Sequence, residues 1–152
     1  MNYAYTTETG RMAIERRNRT ADFYACVHGL RAEVSPDPLD PIAISFARQG
    51  RVQAVAIVRN RTETLANFGW PSILITASKV HALVHRARRT DSRPILIVGM
   101  ADGPLLTWEV SGFYEIQRTT TKADCIGSGL ATRDNMFFPI DEAQVIEPWR
   151  LL

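Results

Sequence analysis

The chain has 152 residues, 45% of them hydrophobic and 22% charged, with a formal charge of +2. These values fit one soluble domain large enough for its own core. No stretch approaches the roughly 18 apolar residues of a membrane span, which excludes an integral helical membrane protein.

The N-terminal stretch "MNYAYTTETGRMAIERR" has no apolar centre for a signal peptide. The only cysteines, Cys26 and Cys125, form no metal-type pair, so both are expected reduced in a cytoplasmic protein. A charge of +2 does not by itself argue for nucleic acid. Lysine occurs only at Lys79 and Lys122, and every other cationic position is arginine. A GC-rich coding bias accounts for such a preference, while the forked guanidinium also suits phosphate.

In chain order, "TGRMAIERRNRTADFYACVHGL" predicts a helix. Phe23, Cys26, Val27 and Leu30 recur at helical spacing, and Gly29 is a C-terminal stop. "RAEVSPDPLDP" holds three prolines and predicts a rigid extended approach. "IAISFA" and "RVQAVAIV" read as strands joined by the turn "RQGR". "RNRTETLANFGWP" is a polar connection and "SILIT" a short strand. In "ASKVHALVHRARR", Val80, Leu83, Val84 and Ala87 make a core-facing helical stripe, with Thr76 or Ser78 as its cap. "RPILIVGMA" is an apolar strand, turned by "DGP" into a hairpin partner, "LLTWEV". From Ser111 to Asn135 the chain is mostly polar, with Gly127 and Gly129 in a loop. "MFFPI" predicts a last short strand and "DEAQVIEP" a short helix or turn. The pattern is a mixed α/β domain, a central sheet covered by helices.

Within the strand "RVQAVAIVRNR", period two puts Ile57, Arg59 and Arg61 in one row. That row is either a solvent-facing rim or the edge of a site. Three further pieces bear on it. A helix carries Glu15, Asp40 stands ahead of a strand, and "ILITASKVHAL" is followed by "RPILIVGMADG". Together with the ending "TRDNMFFPIDEAQVIEP", their order resembles the PD-(D/E)XK nuclease superfamily, in particular its small phage-type members. The resemblance runs from Met12 to Glu147 and implies one restriction-endonuclease-like domain over residues 1–152.

In that family a first-strand acid, a Glu-x-Lys pair on the second strand and often a helix Glu surround Mg²⁺, which takes hard oxygen ligands. The resemblance implies Asp40 as the strand acid and Glu15 as the helix acid, and these two as the metal ligands if Mg²⁺ is used. The positions of Glu and Lys are taken by Ile57 and Arg59, and Arg61 matches a basic residue two further on. Ile57 offers no oxygen, and arginine does not give up a proton near neutral pH. A divalent cation about 4 Å from one guanidinium meets roughly 2 to 8 kcal/mol of repulsion. The motif is therefore degenerate and favours phosphate over Mg²⁺. Lys79, in the first turn of the second helix, is placed to stand in for the catalytic lysine; as a plain sequence feature it is a solvated residue.

His81 and His85 share a helix face without a third ligand and read as part of a basic surface. Arg16, Arg17, Arg86 and Arg89, with Arg59 and Arg61, can line a nucleic-acid groove, and Phe68 and Trp70 can stack on bases. Three functions are expected to compete. The first is a non-cleaving protein of this fold that binds DNA or a protein partner. The second is a Mg²⁺-dependent DNA endonuclease using Asp40, Glu15 and Lys79. The third is a phage-type protein-interaction factor. The resemblance also implies a homodimer.

Overall fold

The computed structural model describes residues 7–110, 116–122 and 130–148. Helix α1 spans Glu8–His28. The Thr7 hydroxyl accepts from the Gly10 N–H at 3.0 Å and caps its start. Gly29, at φ 65°, ends it in the left-handed region that glycine enters without strain. Strand β1 (Arg31–Val34) pairs antiparallel with β2 (Ile44–Arg48), so the proline-rich stretch begins as an edge strand before its prolines end the ladder. Gln49 and Gly50 both have positive φ in the tight turn to β3 (Arg51–Asn60). Strand β4 (Ser72–Thr76) runs straight into helix α2 (Ala77–Arg89). Thr76 is the N-cap of α2 but makes no side-chain cap bond. Strands β5 (Arg93–Gly99) and β6 (Leu105–Glu109) form the expected hairpin.

The central sheet has the order β1-β2-β3-β5-β6-β9, where β9 is Gln144–Ile146. β3 and β5 are parallel neighbours and the other pairs are antiparallel. Residues 54–58 of β3 are all buried because both faces of this strand are covered. Ala54, Ala56 and Val58 pack with Ala21, Tyr24 and Ala25 of α1. Val55 and Ile57 pack on the other side with Val80, Leu83 and Ala87 of α2.

Three expectations change. "SILIT" does not join the central sheet. It heads a second sheet, β4-β8-β7, with β7 at Ile116–Lys122 and β8 at Leu130–Pro139. The expected polar tail therefore contains two strands, and "MFFPI" is only the end of a ten-residue one. Gly127 and Gly129 lie outside the described residues. The threonine run in "IQRTTTK" favours strand, since branched side chains fit a pleated surface. One face of this sheet turns Ile73, Ile75, Met136 and Phe138 into the core shared with α2. Trp108 of β6 donates its indole N–H to the Pro139 carbonyl at 2.9 Å and meets Phe138 edge-on, joining the two sheets. "DEAQVIEP" is a turn only at its start, in the 3₁₀ segment Ile140–Glu142; its middle, expected as helix or turn, is strand β9.

Candidate nucleic-acid interface

The row read from the sequence divides at its first member. Ile57 is 3% exposed and belongs to the core beneath α2. Burying it contributes roughly 1.5–3 kcal/mol, an ordinary core role. Arg59 follows on the same face, where β3 passes the edge of the core, and is half-buried. Its guanidinium and that of Arg61 line a cavity of about 990 Å³ between the end of β3 and the outer face of the second sheet.

Two segments shape that cavity. The connection from residue 61 to 71 brings Phe68 and Trp70 to its rim. Arg61 lies over the Phe68 ring, 5.5 Å from its centroid, and pairs with Glu63 at 3.0 Å. The arginine's hydrogen bond holds the Glu63 carboxyl below its usual range, against a smaller opposing effect of burial. The second sheet supplies Ser72, Leu74 and Thr76 from β4, Thr119 from β7, and Arg133, Asn135 and Phe137 from β8. The ladder sets Leu74 opposite Phe137 and Thr76 opposite Asn135, so these side chains share one face. Asn135, though polar, is buried, and its amide donates to the Thr119 hydroxyl at 2.6 Å. Lys79, from the first turn of α2, completes the lining. The cavity thus collects Arg59, Arg61, Lys79 and Arg133, and no acidic side chain lines it among the described residues. The first turn of α2 carries no acid of its own, and Asp134 of β8 lies with Ala77, Ser78 and Lys79 around an adjoining pocket.

Asp40 stands apart from this cavity. Its carboxylate, 12% exposed, is gripped by Arg86 of α2, with Nη2 to Oδ1 at 2.7 Å and Nη1 to Oδ2 at 3.2 Å. The Ile42 N–H donates to Oδ1 and the Ser35 hydroxyl to Oδ2, each at 2.9 Å. Burial alone raises the pKa of Asp40, but the Arg86, Ile42 and Ser35 hydrogen bonds outweigh it, and the net shift is downward. Two oxygens offer about four lone-pair sites. Four donors fill them.

Glu15 is exposed on α1, and α1 packs on the opposite face of the central sheet from Ile57. Lys79 thus shares a cavity with Arg59 and Arg61, while Asp40 and Glu15 do not line it. The other basic candidates are also dispersed. Arg16 donates to the Arg61 carbonyl at 2.8 Å, bracing the chain just after β3. Arg17 bonds the Asn18 side chain, Arg86 is engaged by Asp40, and Arg89 is exposed at the end of α2. Arg133, Asn135 and Phe137 escaped the sequence reading. The alternation in "TRDNMFFP" was the available signal, with Met136 and Phe138 on one face and these three on the other.

The Mg²⁺ that the resemblance implies does not fit these residues. Asp40 has its acceptor sites filled, Ile57 has no donor atom, and Glu15 lies across the sheet. Among the described residues no group of three or more His, Cys, Asp or Glu is placed to hold a metal ion. Nor is any described helix long and apolar enough to cross a membrane.

Neither a protein-family profile nor a curated protein matches the sequence. Among solved structures the chain is similar to Hjc of Archaeoglobus fulgidus, a Holliday junction resolvase from an archaeal hyperthermophile. The TM-score is 0.53 at 14% identity, covering 89% of this chain and 97% of that one. At this identity the likeness speaks to architecture alone. The fold is a restriction-endonuclease-like mixed α/β core, with a central mixed sheet between helices.

Proposed function

We propose that this protein binds nucleic acid, specifically DNA, through the cleft at the end of β3, and does not cut it by metal-dependent chemistry. One observation carries the reading: Arg59, Arg61, Lys79 and Arg133 line a single cavity that also presents Phe68 and Trp70. Cations at this density attract phosphate, and arginine forks match phosphate oxygens. The fold shared with a junction resolvase supports DNA as the ligand. The occupied carboxylate of Asp40 supports the absence of cleavage.

The test joins a binding and a cleavage assay on the full chain. Binding to labelled DNA falls linearly with log salt, with a slope of about −3 to −4 if the four cations each neutralise a phosphate. Supercoiled, linear, single-stranded and branched DNA stay intact with Mg²⁺ or Mn²⁺. Cleavage that vanishes in Asp40→Ala overturns the non-cleaving half of the proposal. A flat salt dependence overturns the binding half and favours a protein partner.

A further inference from the structure

From the composition of the same cleft we infer that its ligand is an unpaired stretch of DNA, with a base stacked on Trp70; this rests on the reading just given. A surface that only tracks the phosphates of a duplex needs cations and has no use for apolar walls. Here the cations share the cavity with Phe68, Trp70, Leu74 and Phe137. Two of these are held in place. Phe68 lies beneath Arg61, and Phe137 is half-buried in the second sheet. Trp70, at the rim, is 70% exposed, and Leu74 beside the cavity is 36% exposed. An indole left in water forgoes its own burial, and a base laid on it recovers that contact. Every base has such a face, and stacking within a duplex covers it.

The dimensions agree. About 990 Å³ is the upper end of the volumes that hold small organic ligands, enough for flipped or single-stranded nucleotides, whereas a double helix would lie across its mouth and leave the apolar wall unused. The polar groups are suitably divided. Arg59, Arg61, Lys79 and Arg133 supply positive charge for phosphate, while the Thr119 hydroxyl, which accepts from the buried Asn135, keeps its own O–H on the sheet wall for a base edge.

Fluorescence anisotropy with the full chain tests this, using a labelled single-stranded oligonucleotide, the blunt duplex of the same sequence, and the matching RNA strand. Single-stranded DNA is expected to bind at least 10-fold more tightly than the duplex. Trp70→Ala is expected to weaken the single strand by roughly 5- to 150-fold and the duplex far less, so that the preference narrows in proportion, with Trp70→Phe restoring most of it. The exposed position of Trp70 keeps the variants folded, as a thermal melt checks. Equal binding of both DNA forms, or indifference to Trp70→Ala, with salt-dependent binding intact, overturns this inference alone. Tighter binding of RNA than of DNA overturns the assignment to DNA. Loss of salt-dependent binding to every strand overturns the proposed function beneath it.

Discussion

Asp40 and Arg59 both lie at the margin of the central sheet, Asp40 in the connection ahead of β2 and Arg59 as the next-to-last residue of β3, yet the fold uses them oppositely. Asp40 is closed on itself by four donors from Arg86, Ser35 and Ile42. Arg59 opens into a cavity with three other cations. A carboxylate satisfied within the protein has no acceptor site left for a metal, so it contributes to folding. Arg61 is already paired with Glu63, but the described residues lining the cavity include four cations and no acid, a balance that favours an anion. The contrast separates a stabilising contact at the entry to β2 from a binding region at the end of β3.

The most severe way to break the contrast is to place an acid at position 57, where the resemblance expects one. Ile57→Glu places a carboxylate where the side chain is 3% exposed, in a shell of Val55, Val80 and Leu83. A loss of about 3–5 kcal/mol in urea unfolding is expected, with no gain of Mg²⁺-dependent cleavage. Asp40→Ala follows. Removing one partner of a partly buried pair strands the Arg86 guanidinium, and about 2–3 kcal/mol of stability should go while DNA affinity holds. If Asp40→Ala weakens DNA binding as strongly as Arg59→Ala does, the division between the two regions fails.

The pH dependence sharpens the same point. The folded pKa of Asp40 is lowered relative to the unfolded chain, so its contribution is complete above the ordinary aspartate value of about 3.9. It is lost as pH falls through the folded value. Acid denaturation curves of Asp40→Asn should therefore be flatter below about pH 4 than those of the parent chain. Next in size, Arg59→Ala should reduce DNA affinity about 10-fold at low salt and cut the salt slope by about 0.7–0.9. The smallest effect belongs to Arg93→Ala. Its pair with Glu109 is largely exposed, and its removal should change stability by less than about 1 kcal/mol.

What the sequence revealed follows the range of the interactions. The bounds of α2 match the expected segment because Val80, Leu83 and Ala87 repeat locally. Arg59 was visible because strand period alone sets it, whereas Arg61, expected in the same strand row, falls one residue beyond β3 and lines the cavity from the connection. The tie between Asp40 and Arg86 was not, since 46 residues separate them and either side chain reads equally well as solvated. Arg133 was missed for a different reason. Its strand was taken for part of a polar loop, because its core-facing residues, Met136 and Phe138, come only at the end of a polar run. Composition spoke to the presence of arginines, and only the second sheet decided which of them meet.

The junction of β4 and α2 has a mechanical consequence. Thr76 ends the strand and Ala77 begins the helix, with no residue between them to act as a hinge. The wall that carries Leu74 and the turn that carries Lys79 are therefore one stiff lever, bedded along the core by Val80 and Leu83. A ligand that pushes on the second sheet moves the lysine with it. The opposite rim, from residue 61 to 71, is anchored separately, by the Ala101 N–H on the Glu63 carbonyl and the Leu65 N–H on the Asp102 carboxylate.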